Sequence, residues 1–406
     1  MNVAMILNSF PEISEKFLLN HIIGLLEADV DLDIYPAHRP LSDKRHDIYD
    51  QFRVGDHVRY VDVPRARPAR VARLPLLFLR LFVRSPKAAI EALRFGKYRT
   101  VALNGKLLYF GLAFAGKRYD IVHCHFGVNG LIGAYLKECG FCDRLITAFH
   151  GSDINTYPKK HGADVYRTLY ATADKITANT SFIKGKIVAN GCAADLIGIV
   201  PETLIAADYA DVQRTAVERH SVLTVGRLEE KKGHAYALEA IALVRKEIPD
   251  VRYYVAGAGS LEGALKEKAR DLGLEDRVQF LGLCTNTEIK KLYARCAVFT
   301  LPSVTASNGD MEGQGLVLQE AQICGLPVVT TIHNGIPDGV LADESGFLVP
   351  EKDVQALADR LTLLLKDEER GAAMGARGKA FVAAKYDIGP VTDHLMTMYR
   401  DMHAAR

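Results

Sequence analysis

The sequence is short of cysteine, of long apolar runs and of net charge, and each shortage excludes a class of protein. Seven cysteines in 406 residues are too few, and odd in number, for a disulfide framework; they suit reduced thiols in the cytoplasm. Cys139 and Cys142 form a C-x-x-C, but no second pair follows at zinc spacing, so neither a structural metal nor redox chemistry is expected there. The longest apolar stretches, 74–83 and 107–116, are about ten residues each, and Arg80 interrupts the first. Crossing ~30 Å of hydrocarbon takes ~20 residues, so no membrane span is expected. The opening MNVAMILNSFPEISE has no basic flank before its apolar run and reads as a β-strand, not a signal peptide. A net charge of +2 supplies no global field that calls for nucleic acid. There is no repeat of 20–50 residues and no low-complexity tract.

What is present is an ordinary globular composition, 49% hydrophobic and 25% charged, over a length that suits two domains of ~100–200 residues. Apolar runs at 3–7, 32–35, 121–123, 145–149, 175–178 and 196–200 alternate with helical stretches. The first helix is expected from Ser14 to about residue 28, with Phe17, Leu18, His21, Ile22 and Leu25 on one side. The pattern restarts after residue 210, with strands at 222–225, 251–256, 278–281, 298–301 and 327–330 and helices at 233–246 and 354–365. Short apolar strands separated by helices predict parallel sheets covered on both faces: an α/β chain of two doubly wound, Rossmann-like units. The boundary is expected within 202–220, which gives domains at 1–205 and 206–386 and a C-terminal helix at 387–406 that packs back on the first domain. Ligands of such sheets bind beyond the carboxyl ends of the strands, so two such domains facing each other place their loops along one cleft.

The strongest local signal is Glu312-Gly313-Gln314-Gly315-Leu316-Val317-Leu318-Gln319-Glu320, two carboxylates eight positions apart around a glycine-rich turn that opens a helix. The helix is expected to begin near Gly315, with Leu316, Val317, Glu320 and Ala321 on its buried face. First-turn N–H groups and the helix dipole favour an anion, and Gly313 and Gly315 let a diphosphate come close to the backbone of Gly313, Gln314, Gly315 and Leu316. Glu312 and Glu320 can then bracket a nucleotide-sugar through its hydroxyls. The spacing alone equally fits a helix cap with two surface glutamates. Gly226-Arg227-Leu228-Glu229-Glu230-Lys231-Lys232-Gly233 follows a strand. Gly226 permits the turn, Gly233 opens the helix, and Arg227 and Lys232 can clamp a diphosphate and neutralise its growing charge; a solvated basic loop is the plain alternative. Phe280-Leu281-Gly282, at another strand end, can offer backbone groups to a flat base. Gly257-Ala258-Gly259 is short of a full G-x-G-x-x-G and no acidic residue follows at the required spacing, so a dinucleotide oxidoreductase ranks low.

In this order the motifs make the chain resemble the retaining glycosyltransferases of family 4, which have the GT-B fold, over nearly its whole length. The likeness is strongest over 222–350, through SVLTVGRLEEKKG, RVQFLG, DMEGQGLVLQEAQICGLPVVTT, NGIPDGV and ESGFLVP. FPEISEKFLLNHI looks like the family members that build bacterial exopolysaccharides such as colanic acid and amylovoran. The resemblance implies that Glu312 contacts the donor sugar, Glu320 the ribose, and Arg227 and Lys232 the diphosphate of a UDP- or GDP-sugar. It also implies an acceptor-binding first domain and a donor-binding second one. The reaction it implies is front-side transfer in which the donor diphosphate takes the acceptor's proton. No D-x-D stands in a suitable place, and no metal or other cofactor is expected. The chain departs from the family at Pro201-Glu202-Thr203-Leu204-Ile205, where Glu202 and Thr203 replace the Asn and Gly of N-G-x-D near the hinge.

On the N-terminal side, His150-Gly151-Ser152-Asp153 follows a strand and matches the family's H-G-x-D, which implies that His150 meets a donor-sugar hydroxyl. Asp153 also reads as a cap for the segment after it. His123 and His125, two apart on a strand, share one face and read as packing residues, since no third metal ligand is evident. Ser14 is a natural helix N-cap, and Glu15 falls on the first strand-to-helix loop, which faces the cleft in this fold.

Residues 64–100 carry ten Lys or Arg and a single acidic residue, Glu91, around a short apolar run. Such a stretch suits an anionic membrane surface, at ~1 kcal/mol per basic residue, and a lipid-linked acceptor; it equally suits a helix packed on its sheet with the arginines outward. The location read from all this is cytoplasmic, peripheral on the inner face of the cell membrane. The alternatives are a sugar-nucleotide epimerase on the same fold, an idle nucleotide-binding subunit, and a glycogen-phosphorylase-like enzyme, for which no lysine context for a pyridoxal cofactor is evident. NDP release that depends on an acceptor separates transfer from epimerisation, and the intact set Arg227, Lys232, Glu312 and Glu320 speaks against idleness.

Overall fold

The computed structural model describes residues 1–12, 15–42 and 45–404. The chain divides into two compact units, Met1–Glu202 with Val391–Arg406, and Thr203–Pro390. Each is built on one six-stranded sheet in which every strand pair is parallel.

In the first unit the strands are β1 (Asn2–Ser9), β2 (Asp31–His38), β3 (Tyr119–His125), β4 (Cys142–Phe149), β5 (Lys175–Ala178) and β6 (Ile197–Ile199), in the order β2-β1-β3-β4-β5-β6. The order reverses between β1 and β3, so the loops after these strands open a crevice at their carboxyl ends. Burial on both faces explains the near-continuous apolar runs of β1 and β3. Helix Lys16–Glu27 begins later than the sequence pattern suggests, and Ser14 lies outside the described residues. The basic segment folds as helices Arg67–Arg84, Pro86–Glu91 and Phe95–Leu103. Among the described residues no helix is long and apolar enough to cross a membrane.

In the second unit the strands are β7 (Glu218–Val225), β8 (Arg252–Ala256), β9 (Val278–Gly282), β10 (Cys296–Leu301), β11 (Val328–Thr331) and β12 (Gly346–Val349), in the order β12-β11-β10-β7-β8-β9. Strand β12 was not anticipated: four residues inside ESGFLVP carry too little period to be read. Strand alternation splits the core cleanly. Val222, Tyr253, Val298 and Val329 pack on one face of the sheet; their neighbours Leu223, Tyr254, Phe299 and Val328 pack on the other. The order reverses between β7 and β10, which puts the loops Gly226-to-Gly233 and Pro302-to-Gly315 at this unit's switch point.

Glycines decide how closely these loops approach. Gly233 has φ 70°, and a Cβ there would lie 1.8 Å from the Pro302 carbonyl oxygen. Gly226, expected to permit the turn, needs no such freedom: a Cβ would meet the Lys232 side chain at an ordinary 3.6 Å. The strain is taken by its neighbour across the sheet, Gly257, where a Cβ would stand 1.9 Å from the Gly226 carbonyl oxygen. Gly233→Ala should therefore cost roughly 2–4 kcal/mol of folding stability, and Gly226→Ala less than about 1 kcal/mol. Urea unfolding of the two variants checks this; equal losses would contradict it.

Candidate active site

Strand β7 ends at Val225 and delivers the basic loop. Gly226 N–H bonds to Ala256 O at 2.9 Å and Leu228 N–H to Ala258 O at 3.0 Å, while the Leu228 side chain is fully buried. The loop is thus pinned to the strand end of β8, and the 257–259 glycines serve that packing. His234, buried at the head of helix His234–Glu247, donates from Nε2 to the Arg227 carbonyl at 3.0 Å and fixes the backbone that carries Arg227. The Arg227 side chain is 65% exposed and pairs with Glu229 at 2.7 Å. Lys232 closes a single 3-10 turn and points inward.

The loop after β10 meets it with opposite charge. Lys232 Nζ pairs with Glu312 Oε2, both side chains about nine-tenths covered at 11% and 14% exposure. Lys231 pairs with Asp310 at 3.0 Å. The Ser307 N–H and hydroxyl both donate to Glu230, at 2.9 and 2.7 Å. Burial alone would raise the Glu312 carboxyl. Lys232 outweighs it, helped by Lys231, and holds the group below the usual carboxylate range.

Glu312 is also held through its backbone. Its N–H donates to His333 Nε2 at 3.1 Å, and Asn334 Nδ2 donates to its carbonyl at 2.6 Å. Because Nε2 accepts, the His333 proton sits on Nδ1 and is donated to Glu351 at 2.6 Å. His333, Asn334 and Glu351 escaped the sequence reading, as did His234. Position just after β11 was the available signal for His333 and Asn334, and the head of the helix after the β7 loop for His234; Glu351 follows β12, which shows no period.

Helix Leu316–Ile323 starts after Gly315, which caps it at φ 73°. Its buried face is Leu318, Gln319, Ala321 and Gln322, not the expected Leu316, Val317 and Glu320, which are half-buried. The helix sits turned because Gln322 finds buried partners in the Gly339 carbonyl at 2.8 Å and Ser345 at 2.9 Å, so a polar side chain is satisfied inside. That turns Glu320 toward Tyr293, whose hydroxyl donates to it at 3.1 Å. Burial first, and the Glu320 charge second, push the Tyr293 and Tyr209 phenols up, so both remain protonated donors. Gly313 and Gln314 lie on the loop between the two glutamates, Gln314 fully buried. Leu281 is half-buried at the end of β9, beside a Gly282 carbonyl already taken by Gly257 N–H at 2.8 Å. A cavity of about 460 Å³ lined by Arg214, Ala297, Cys324 and Gly371 lies at the opposite, amino ends of the strands and shares no residue with these loops.

His150, Asp153 and Glu15 belong to the first unit. Asp153 does not cap its own short helix. It is buried, and its carboxylate accepts from His150 N–H at 3.2 Å, Gly151 N–H at 2.9 Å and Gly127 N–H at 2.9 Å, belting the loop after β4 to the start of helix Gly127–Glu138. Burial raises its pKa against the pull of these donors. Glu15 is half-buried, and burial, then repulsion from Glu12, lift its carboxyl to about 7. His123 and His125 share one face of β3 as expected, with rings stacked at 4.6 Å. His21 stands edge-on to both, at 5.5 and 5.2 Å, and His125 Nδ1 lies 3.0 Å from His150 Nε2. Among the described residues no group of three or more His, Cys, Asp or Glu is arranged to hold a metal ion.

The model of the family described as glycosyl transferases group 1 matches residues 208–381, inside the second unit. The chain is 31% identical over 379 residues to the amylovoran biosynthesis glycosyltransferase AmsK of Erwinia amylovora, covering 91% of each chain. It is 32% identical over 369 residues to WcaL of Escherichia coli (strain K12), a glycosyltransferase assigned to colanic acid biosynthesis, covering 89% of this chain and 90% of that one. Among solved structures, Anabaena Alr3699/HepE in complex with UDP and glucose superposes with a TM-score of 0.70 at 19% identity, covering 99% of this chain and 100% of that one. Two parallel six-stranded sheets of this kind are the GT-B architecture. With these relatives aligned along nine-tenths of its length, the chain belongs to the glycosyl transferases of group 1.

Proposed function

We propose that the chain is a retaining hexosyltransferase that moves a hexose from a UDP- or GDP-sugar to a saccharide acceptor, lipid-linked, in the synthesis of a bacterial exopolysaccharide or other cell-surface polysaccharide. The observation that carries the donor half is the covered Lys232–Glu312 pair at the switch point of the second unit, beside the N-terminus of helix Leu316–Ile323. Positive side chains and a helix N-terminus there suit a diphosphate. Arg227 and Lys232 neutralise the charge that grows on the diphosphate as the bond from the anomeric carbon to the phosphate oxygen breaks. The acceptor hydroxyl attacks that carbon from the same side, and its proton passes to the departing phosphate oxygen. Glu312 meets a donor-sugar hydroxyl, Glu320 the ribose, and His150 a second sugar hydroxyl. Side chains meet the diphosphate charge, so the reading calls for no metal ion. The names of AmsK and WcaL support the polysaccharide product.

The acceptor half draws on the first unit. Helix Arg67–Arg84 has three sectors at 100° per residue. Leu74, Leu77, Phe78 and Leu81 pack inward. Val71, Leu76, Leu79, Phe82 and Val83 are 42–77% exposed. Arg73, Arg80 and Arg84 form an exposed ridge beside them. The helix is thus packed through one side with arginines outward, and it carries exposed apolar side chains as well. Of the 15 exposed large apolar residues among those described, nine lie between Val71 and Leu103, and basic residues interleaved with apolar ones suit an anionic lipid surface. A lipid-linked acceptor would be reached from such a surface. A relative 28% identical over 274 residues is named for mannosyl transfer to a phosphatidylinositol monomannoside.

Arg227→Ala and Lys232→Ala should each reduce turnover by about 3–4 kcal/mol, a hundredfold to a thousandfold. Glu320→Ala should weaken binding of the bare nucleoside diphosphate, and Glu312→Ala mainly the sugar-dependent step. Calorimetry with UDP and GDP, with and without sugar, separates them; near-normal turnover in both basic variants, or equal loss of bare-nucleotide binding in both glutamate variants, would contradict the assignment.

The protein should bind phosphatidylglycerol vesicles at low salt, and high salt should release only part of it, because screening within ~8 Å weakens the arginines and not the apolar contact. Replacing Arg73, Arg80 and Arg84 with Gln should cut that binding about tenfold to a hundredfold, and Leu79, Phe82 and Val83 with Ser should abolish the salt-resistant fraction. Wild-type protein that ignores these vesicles at low salt would refute the membrane surface.

A further inference from the structure

We infer that His125 is a positioning residue for His150: it donates from Nδ1 to His150 Nε2 and so leaves the opposite nitrogen of His150, Nδ1, as a hydrogen-bond donor. The inference rests on the reading that His150 meets a donor-sugar hydroxyl.

The strands set the pair. His125 is the last residue of β3, and His150 directly follows β4. These strands are in register with His125 opposite Ala148, so the two rings leave adjacent strand ends on the same side. The rings are 17° from coplanar with centroids 5.2 Å apart, the arrangement of an in-plane N–H···N bond, and the nitrogens are 3.0 Å apart. One of the two must carry the shared proton.

The surroundings decide which one. His123 stacks on His125, His21 is edge-on to it, and Phe17 and Phe126 each lie 4.9 Å from His150. Tyr399 holds His123 Nδ1 at 2.7 Å. Burial, with mutual repulsion among the rings, keeps all four histidines below the ordinary imidazole range, so each is neutral. Asp153 accepts from the His150 backbone N–H at 3.2 Å, and on the ring side Glu202 Oε1 lies 3.9 Å from His150 Nδ1 and accepts from Asn179 Nδ2 at 3.0 Å. A carboxylate only accepts, so a bare Nδ1 would set lone pair against lone pair, and the proton of His150 belongs on Nδ1. Nε2 is then bare and must accept from His125 Nδ1–H. This leaves His125 Nε2 bare as well, in an enclosure that gives it no hydrogen-bond partner. An imidazole here does what a carbonyl or carboxylate does for many functional histidines: it fixes the tautomer and the ring plane. His150 Nδ1 is itself enclosed and without a hydrogen-bond partner, so a sugar oxygen meets its N–H by taking the place that Glu202 now faces.

The test uses the full chain labelled with ¹⁵N-histidine. Long-range ¹H–¹⁵N spectra read the tautomer of each ring, with His150→Gln identifying the His150 signals. Turnover is followed as release of nucleoside diphosphate from UDP-glucose and GDP-mannose, with water as acceptor. Wild-type His150 should be protonated at Nδ1. His125→Leu should shift it toward the Nε2–H form, lower kcat/KM at least tenfold and add an acidic limb to the pH profile. His125→Asn, whose amide can still donate to Nε2, should keep the wild-type tautomer and most of the turnover. Folding of each variant is checked by urea midpoint. A wild-type His150 protonated at Nε2 overturns the inference even if His125→Leu does not fold. So does a folded His125→Leu whose His150 tautomer is unchanged. A tautomer shift with unchanged turnover upholds the bond and overturns instead the assignment of His150 to the sugar.

Discussion

The second unit depends on a covered ion pair. Lys232 comes from the loop after β7 and Glu312 from the loop after β10, the two strands between which the sheet reverses. Withdrawing two charges from water is expensive, and an ion pair of this kind adds little net stability, whereas removing one partner typically costs 3–5 kcal/mol. What the pair supplies is order. It fixes the Lys232 side chain at the carboxyl end of the sheet and closes the two loops on each other. Lys231–Asp310 and Glu230–Ser307 repeat the same loop-to-loop bond further out. The Glu312 carboxyl is held below its ordinary value of 4.5. The stability linked to it is therefore fully present above that pH and is lost as the pH falls through the lowered value.

The first unit uses the opposite means. The ends of β3 and β4 and the first helix gather four neutral imidazoles rather than a pair of charges. The unfolded chain takes up protons below the ordinary imidazole value of 6.5, while the folded state holds His21 down to about 4 and His150 to about 3. Acid thus weighs against this unit by up to ~1.4 kcal/mol per ring and pH unit. Asp153 ties the loops after β3 and β4 through three backbone N–H groups.

Much of this was legible in residue order. Strand and helix alternation located eleven of the twelve strands, because each is an apolar run bounded by turn residues; β12 is too short to show a period. The charged loops were legible because chemistry-bearing residues stand directly after strands. The partnership of Lys232 with Glu312 was not, since eighty positions of chain separate them and only the sheet order makes them neighbours. His333 and Glu351 were missed for the same reason: their role is to carry Glu312, and nothing in their own sequence context says so. The buried face of helix Leu316–Ile323 was misread because polar Gln319 and Gln322 occupy it, which a hydrophobic period cannot anticipate. The exposed side of helix Arg67–Arg84 was hidden by the opposite fault: apolar residues on both sides of a helix give no indication of which side stays uncovered.

The central claim is that a nucleoside diphosphate binds at the β7–β10 switch point of the second unit. Amide hydrogen exchange with and without saturating UDP or GDP tests it most directly. Slowed exchange confined to 226–234 and 312–320, with 212–220 and 371–379 unchanged, is the expected pattern. Protection at the cavity around Arg214 and Gly371, with the two strand-end loops unaffected, would contradict it.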